Sequence, residues 1–435
     1  MKPLASAKQD YRFPAFCLSS LSVFRHTGTE PLFYEFSCYQ RIIMHQTSRR
    51  AYHLRSSLIR EIAEKGMLME DIIPLWFGEG QWPTSQIAVA AANAALDSGD
   101  HFYQPNSGKP HFRDALCNYV NKLYGSKKTR QNITVTASGM QGLALTALAL
   151  MDVGDKVVCV EPVWPNLAES FRIAGGKIDS ITLTAQNGRW HLDMDQLLAK
   201  LTDDTKALLI NSPNNPTGWV CSAAGQRVIL DHCRKKGIWI IADDVYARLY
   251  QHDTVAPNFQ HLAEEEDRLI SINSFSKAWS MTGWRLGWIT APAALEQTLA
   301  QLTEFNIACP AGFIQDAGLA MIEQGESEVR LLQDRLKAAL ALTRTRLQGL
   351  GEISFIEPDG AFYCFFSVAG LTDSLGFAHA VLHHTKVGLA PGLAFGPAGE
   401  GYLRLCYAQD ETILNEAFDR LENGFQAAKH AVMTG

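Results

Sequence analysis

Between residues 130 and 292 the chain alternates short apolar, β-branched runs with stretches of helical periodicity. That alternation narrows the fold more than any other feature. The strand-like runs are 132–137, 156–160, 178–183, 206–211, 238–243, 269–273 and 285–290. Most are apolar on both faces, the pattern of strands covered by helices on both sides. Helical periodicity fills the intervals at 140–151, 164–174, 194–201 and 222–236. Seven strands separated by helices predict an α/β fold: a large domain with a mostly parallel seven-stranded sheet between helices. Such sheets bind ligands outside the carboxyl ends of their strands, which directs attention to the residues ending each run.

After residue 292 the pattern changes. Amphipathic stretches at 294–306 and 314–350 precede a strand-like segment at 361–367 and a final helix at 411–428. The chain has 435 residues, and single cores stop growing at roughly 250–300. The expected division is a large domain over 86–325 and a smaller α+β domain over 326–435, to which residues 44–85 contribute. Residues 1–43 carry aromatics and two cysteines without periodicity, and Met44 precedes a polar stretch suited to a natural start. They are expected to form an irregular extension, or to stem from an upstream start codon, rather than a dimer-clasping arm. Serines interrupt the apolar run from Leu18 to Phe24, unlike the sustained core of a secretory signal.

Composition excludes several classes. Hydrophobic residues make up 47% and charged residues 19%, as in ordinary soluble globular proteins. A net charge of −6 offers no electrostatic reason to expect nucleic acid or an anionic membrane as partner. No apolar stretch reaches the ~18–20 residues of a membrane span. The nine cysteines are odd in number and include no C-x-x-C pair. That argues against a disulfide framework or a zinc site, and for reduced thiols in a cytoplasm.

Candidate chemistry falls at the strand ends. Lys277, in Ser274-Phe275-Ser276-Lys277-Ala278-Trp279, follows the apolar run Leu269 to Asn273 and precedes Arg285 by eight residues. A lysine there is costly unless it is paired, neutral or covalently modified. A depressed amine pKa is what Schiff-base chemistry requires; a snorkelling surface lysine is the competing reading. Ser138-Gly139-Met140 forms a tight turn between a strand and a helix whose free N–H groups favour an anion such as phosphate, or it is simply a turn. The dense turn Asn211 to Gly218 fixes the backbone so that Asn215 presents its amide, unless it is only a loop. Asp243 and Tyr246 end another buried run, offering a carboxylate for a buried cation and a phenol beside it; a helix cap is the alternative for Asp243.

Together Ser138, Gly139, Asn215, Asp243, Tyr246, Ser274, Lys277 and Arg285 resemble the site of the class I/II aminotransferase family, pyridoxal-phosphate enzymes of the aspartate aminotransferase fold (fold type I). The resemblance covers most of residues 70–425. It includes Tyr103-Gln104-Pro105 with Gly108, Glu161-Pro162-Val163-Trp164-Pro165-Asn166, Pro358-Asp359-Gly360-Ala361-Phe362-Tyr363, and Pro391-Gly392 followed by Arg404. It implies pyridoxal phosphate as cofactor and L-amino acids and 2-oxo acids as substrates. Lys277 would hold the cofactor through its amine and move a proton at the substrate Cα. Asp243 would keep the pyridine nitrogen protonated, and Asn215 and Tyr246 would hydrogen-bond the phenolic oxygen. Ser138, the amides of Gly139 and Met140, Ser274 and Arg285 would bind the phosphate. Trp164 would stack on the ring. Tyr103 would reach the neighbouring subunit's phosphate, which implies a homodimer with shared sites. Arg404 would grip the substrate α-carboxylate, and Gly78 would let substrate approach the backbone.

Two departures stand out. Met140 replaces a hydroxyl or amine common in relatives, and no second arginine can be placed against a dicarboxylate side chain. Trp82 and the segment around Trp76 are candidates for a wider apolar pocket. The expected activity is transfer of an amino group from an L-amino acid to a 2-oxo acid by a ping-pong cycle. A β- or γ-lyase or a cyclising synthase on the same scaffold is the alternative. A non-catalytic regulator is more distant, because residues 1–44 show no basic recognition helix.

Overall fold

The computed structural model describes residues 48–52 and 54–433. Arg55–Gly435 forms one compact unit. The residues up to Leu54 are a separate unit, of which the described part contains one helical turn, Arg49–Tyr52. The irregular extension expected at residues 1–43 lies outside the described residues.

Side chains alternate across a strand, and in the central strands both directions lead into apolar cores. Val157 and Cys159 enter one cluster, with Ala207, Leu209, Ile241 and Ile270. Val158 and Val160 enter the other, with Leu208, Ile210 and Ile240. The seven strands are β1 (Ile133–Thr136), β2 (Lys156–Glu161), β3 (Lys177–Thr182), β4 (Thr205–Asn211), β5 (Trp239–Asp243), β6 (Leu269–Ser274) and β7 (Gly287–Thr290). They form one sheet in the order β1-β7-β6-β5-β4-β2-β3. β7 runs antiparallel to both neighbours, and all other pairings are parallel. Every residue of β1, β6 and β7 is buried, which is why those runs lack polar alternation. β3 lies at the sheet edge, and only one of its residues is fully buried.

The helices named below are α1 (Leu58–Gly66), α2 (Gly139–Leu150), α3 (Pro165–Ala174), α4 (Ala223–Lys236), α5 (Gly312–Gln324), α6 (Glu326–Gly349) and α7 (Ser374–Thr385). α2 and α3 send Leu143, Leu145, Leu167 and Phe171 into one core, and α4 sends Ile229, Leu230 and Cys233 into the other. The apolar faces of the helices therefore cover both sides of the sheet. The amphipathic stretch at 314–350 is two helices, not one. It breaks at Gly325, where an added Cβ would lie 2.6 Å from the Met321 carbonyl oxygen, and glycine weakens a helix interior by about 1 kcal/mol.

A second, four-stranded antiparallel sheet contains β8 (Ile353–Ser354), β9 (Tyr363–Val368), β10 (Ala390–Pro391) and β11 (Tyr402–Cys406), in the order β8-β9-β11-β10. Ile73–Pro74 pairs in parallel with Val387–Gly388, so the chain before the large sheet meets the chain after it. Among the described residues no helix is long and apolar enough to cross a membrane.

Candidate active site

The register of the large sheet brings Asn211, the last residue of β4, opposite Asp243, the last of β5. Both, with Ser274 at the end of β6, line a cavity of about 480 Å³. Gly139 and Met140 enter its wall from the start of α2, and Trp164 from the residue before α3. Asn215, Tyr246, Lys277 and Arg285 come from the loops after β4, β5 and β6. Gly78 and Arg404 close it from the opposite side, with Arg404 carried on β11. Two expected residues are not on this wall. Ser138 is buried as the N-cap of α2, its Oγ accepting from the Gln141 amide at 3.4 Å. Tyr103 is 89% exposed.

Lys277 is not at the end of its strand: β6 stops at Ser274, and the lysine lies in the turn 275–279. Its amine donates to the Gly78 carbonyl oxygen and lies 5.7 Å from the centre of the Tyr246 ring and 5.8 Å from that of Phe362. Burial lowers its pKa from 10.5 to about 8; Arg404 adds to that, while Cys406, Glu79 and Asp243 oppose it. A large share of neutral amine near pH 8 is the state a nucleophile needs.

Asp243 is buried, and burial raises its carboxyl from 3.8 to about 6, against the Val245 amide at 3.4 Å and the charge of Lys277. It caps no helix, since the chain continues in turns. Its neighbour Asp244 is held away from the cavity by a hydrogen bond from Ser271. Asn215 is fixed on three sides: its amide donates to Asn211 Oδ1 at 2.8 Å, its carbonyl accepts from the Trp164 amide at 2.8 Å, and its Oδ1 accepts from Arg404 Nη1 at 2.8 Å. Its Nδ2 reaches Tyr246 Oη at 3.5 Å. Tyr246 Oη also shares a hydrogen bond of 2.7 Å with Tyr363 Oη, and burial holds both phenols well above the ordinary range.

The cavity's arginines differ in burial. Arg404 is buried, with its guanidinium carbon 4.5 Å from the Tyr363 ring centre and 4.8 Å from that of Phe395. One Nη donates to the Trp76 carbonyl, whereas Nε has no partner. A buried guanidinium without a carboxylate is costly, and a planar anion in the cavity would relieve that cost. Arg285 is exposed in the described chain and donates to the Thr282 carbonyl at 2.5 Å and to Ser276 Oγ at 3.5 Å. Ser274 Oγ lies 2.9 Å from Ser276 Oγ. Two hydroxyls, a guanidinium and the first amides of α2, which have no intrahelical acceptor, converge on one end of the cavity.

The wall also holds residues that sequence reasoning did not single out: Tyr363, Ser276, Thr282, Asn166 and, from α1, Ser57 and Arg60. Tyr363 and Ser276 fall inside motifs that were legible; α1 carries no local signal. Trp76 is core, 2% exposed and absent from the wall. Trp82 lines a separate cavity of about 40 Å³ on the other side of Lys277, too small for a substrate side chain.

Comparison with known proteins agrees with this geometry. The sequence pattern described as "Aminotransferase class I and II" matches residues 72–421. The chain is 33% identical to the aspartate aminotransferase of Pyrococcus horikoshii, over 88% of this chain and 98% of that protein. It is 31% identical to aromatic-amino-acid aminotransferase 2 of Thermococcus litoralis, over 88% and 99%. The solved aspartate aminotransferase of Thermotoga maritima superposes with a TM-score of 0.81 at 30% identity, covering 88% of this chain and 100% of that one. The chain belongs to the class I and II aminotransferase family and is an aminotransferase.

Proposed function

We propose that the protein moves an amino group from an L-amino acid to a 2-oxo acid, with pyridoxal phosphate as cofactor, by a ping-pong cycle. The observation that carries this reading is the Lys277 amine. It is lowered to about 8 in a cavity that also holds the buried acid Asp243 and two arginines without a carboxylate partner among the described residues. This donor set fits the cofactor: an amine for its aldehyde, an acid for its ring nitrogen and a cationic, hydroxyl-rich end for its phosphate. When bound, pyridoxal phosphate supplies a ring that withdraws electrons from the substrate Cα.

The chain's own groups do the rest. Lys277 holds the cofactor and moves the proton at Cα. Asp243, dry and one turn away from bulk water, keeps the ring nitrogen charged. Asn215 and Tyr246 hydrogen-bond the phenolic oxygen, and Tyr363 orients Tyr246. Arg285, Ser274, and the amides of Gly139 and Met140 bind the phosphate, with Ser138 capping the helix that presents those amides. Trp164 covers the ring. Arg404 takes the α-carboxylate as a planar fork, and Gly78 leaves the backbone open to substrate. We read the exposed Tyr103 as serving the other site of a homodimer, with the large sheet's domain over 86–325 and the smaller over 326–435 joined by 44–85. The seven described cysteines are all free, which supports a cytoplasmic enzyme of amino-acid metabolism.

The test is to incubate the holoenzyme with one amino acid and no 2-oxo acid. Stoichiometric conversion to the pyridoxamine spectrum is the expected result. Multiple turnovers releasing ammonia would mean elimination instead.

A further inference from the structure

Three arginines line the cavity: Arg60, Arg285 and Arg404. None has a carboxylate partner among the described residues. In the reading above, Arg285 serves the cofactor phosphate and Arg404 the substrate α-carboxylate. One guanidinium remains. The acids on the same wall do not neutralise it: Asp243 is buried at the end of β5, and Glu79 accepts from Thr282 Oγ1 at 3.1 Å.

We propose that Arg60 binds the side-chain carboxylate of a dicarboxylic substrate, so that at least one amino acid/2-oxo acid pair used by this enzyme carries two carboxylates. The inference rests on the aminotransferase reading and adds its substrate class. α1 is built to present this arginine. Ser57, its N-cap, also lines the cavity and accepts the Arg60 amide at 3.3 Å. Ile59, Ile62 and Ala63 bury the opposite side of the helix. Glu61 ties α1 to α7 through His379 at 2.9 Å. The backbone carrying Arg60 is thus held, while the guanidinium is free to meet an anion.

Arg60 is exposed, unlike Arg404. An exposed guanidinium left without a partner stays hydrated at little cost, so a neutral side chain is not rejected. The geometry therefore favours dicarboxylates without excluding a monocarboxylate as the second amino donor, which is what a ping-pong enzyme with one shared site requires.

The experiment measures binding to the holoenzyme by calorimetry, with maleate as a non-reacting dicarboxylate and butyrate as a monocarboxylate of the same carbon number. In Arg60→Gln the maleate Kd is expected to rise about 10- to 100-fold, the scale of one charge-assisted hydrogen bond, with butyrate changing less than about twofold on that same account. Arg60→Lys is expected to recover part of the maleate affinity. In the half-reaction, KM for glutamate should rise while kcat stays close to its original value, as for an interaction shared by ground and transition states. Unchanged maleate binding in Arg60→Gln would overturn the proposal. So would equal losses for both ligands, because Arg60 would then be shaping the helix or holding the α-carboxylate. The aminotransferase reading fails separately, if the unaltered holoenzyme converts no amino acid in the half-reaction.

Discussion

Replacing Gly78 by alanine tests the tightest contact of the site. Gly78 does not require the left-handed backbone region, so an alanine could adopt its conformation, and only space decides the outcome. The new methyl would overlap the Tyr363 hydroxyl, with Tyr363 Cζ at 3.2 Å and Lys277 Nζ at 3.5 Å. Tyr363 has little room to retreat. Its hydroxyl is bonded to Tyr246 at 2.7 Å, and the Arg404 guanidinium lies 4.5 Å from its ring centre. Overpacking costs about 1–3 kcal/mol, and losing the buried phenol–phenol bond adds about 1 kcal/mol. Gly78→Ala should therefore destabilise by about 2–4 kcal/mol. Tyr363→Phe alone should cost about 1 kcal/mol, the value of that bond. The double variant removes the clashing oxygen and leaves a ring carbon at 3.2 Å, a contact that yields by a few tenths of an ångström. It should be at least about 1 kcal/mol more stable than the sum of the single effects, since contacting sites couple on that scale. Urea unfolding of all four proteins, at matched cofactor saturation, reads the cycle. Additivity to within about 0.5 kcal/mol would refute the assignment of the clash to the Tyr363 hydroxyl.

Other outcomes follow from the buried charges. Lys277, with its amine at about 8 in the fold and 10.5 as its ordinary value, binds fewer protons folded than unfolded between those pH values. Stability of the cofactor-free protein should then rise with pH from about 8 to about 10.5. Lys277→Met should remove that slope and raise the melting temperature near pH 7; an unchanged slope would show that the amine is not desolvated. Lys277→Ala should lose the cofactor bond that borohydride traps, and persistent trapping would move the attachment elsewhere. Asp243→Asn should keep the cofactor but lose most turnover, about 10²-fold or more for a group that stabilises developing charge; near-normal kcat would count against its role. Asp243, at about 6 against 3.8, binds more protons folded than unfolded in that interval. Its burial therefore favours the fold most at low pH and loses that contribution as pH rises through 6. The asparagine variant should flatten this dependence in the cofactor-free protein.

Much of the large sheet could be read along the chain because its strands are local objects. Ile270 and Ile272 enter one core and Leu269 the other, so β6 appears in the sequence as an unbroken apolar run. The order of the strands is a different matter. That β7 inserts antiparallel between β1 and β6 depends on pairings between distant segments, which no local pattern encodes. The short strands β10 and β11 and helix α7 escaped notice for a related reason: two to five residues carry too little periodicity. Lys277, Asp243, Asn215 and Arg285 were legible because each stands beside a strand end in a run of unusual turn chemistry.

Arg60 was not legible. It lies in an ordinary amphipathic helix, and only the packing of α1 brings it to the same cavity as Arg404. The hydroxyl pair of Tyr246 and Tyr363 joins β9 to the loop after β5, and the tolerance for no side chain at Gly78 exists only because Tyr363 fills that space. The sequence by itself determined the sheet and the cofactor chemistry, since periodicity and strand-end residues are properties of neighbours in the chain. Tertiary structure alone decided the wall that meets the substrate side chain, because that wall is assembled from segments that share nothing along the chain and meet only when the two sheets are packed.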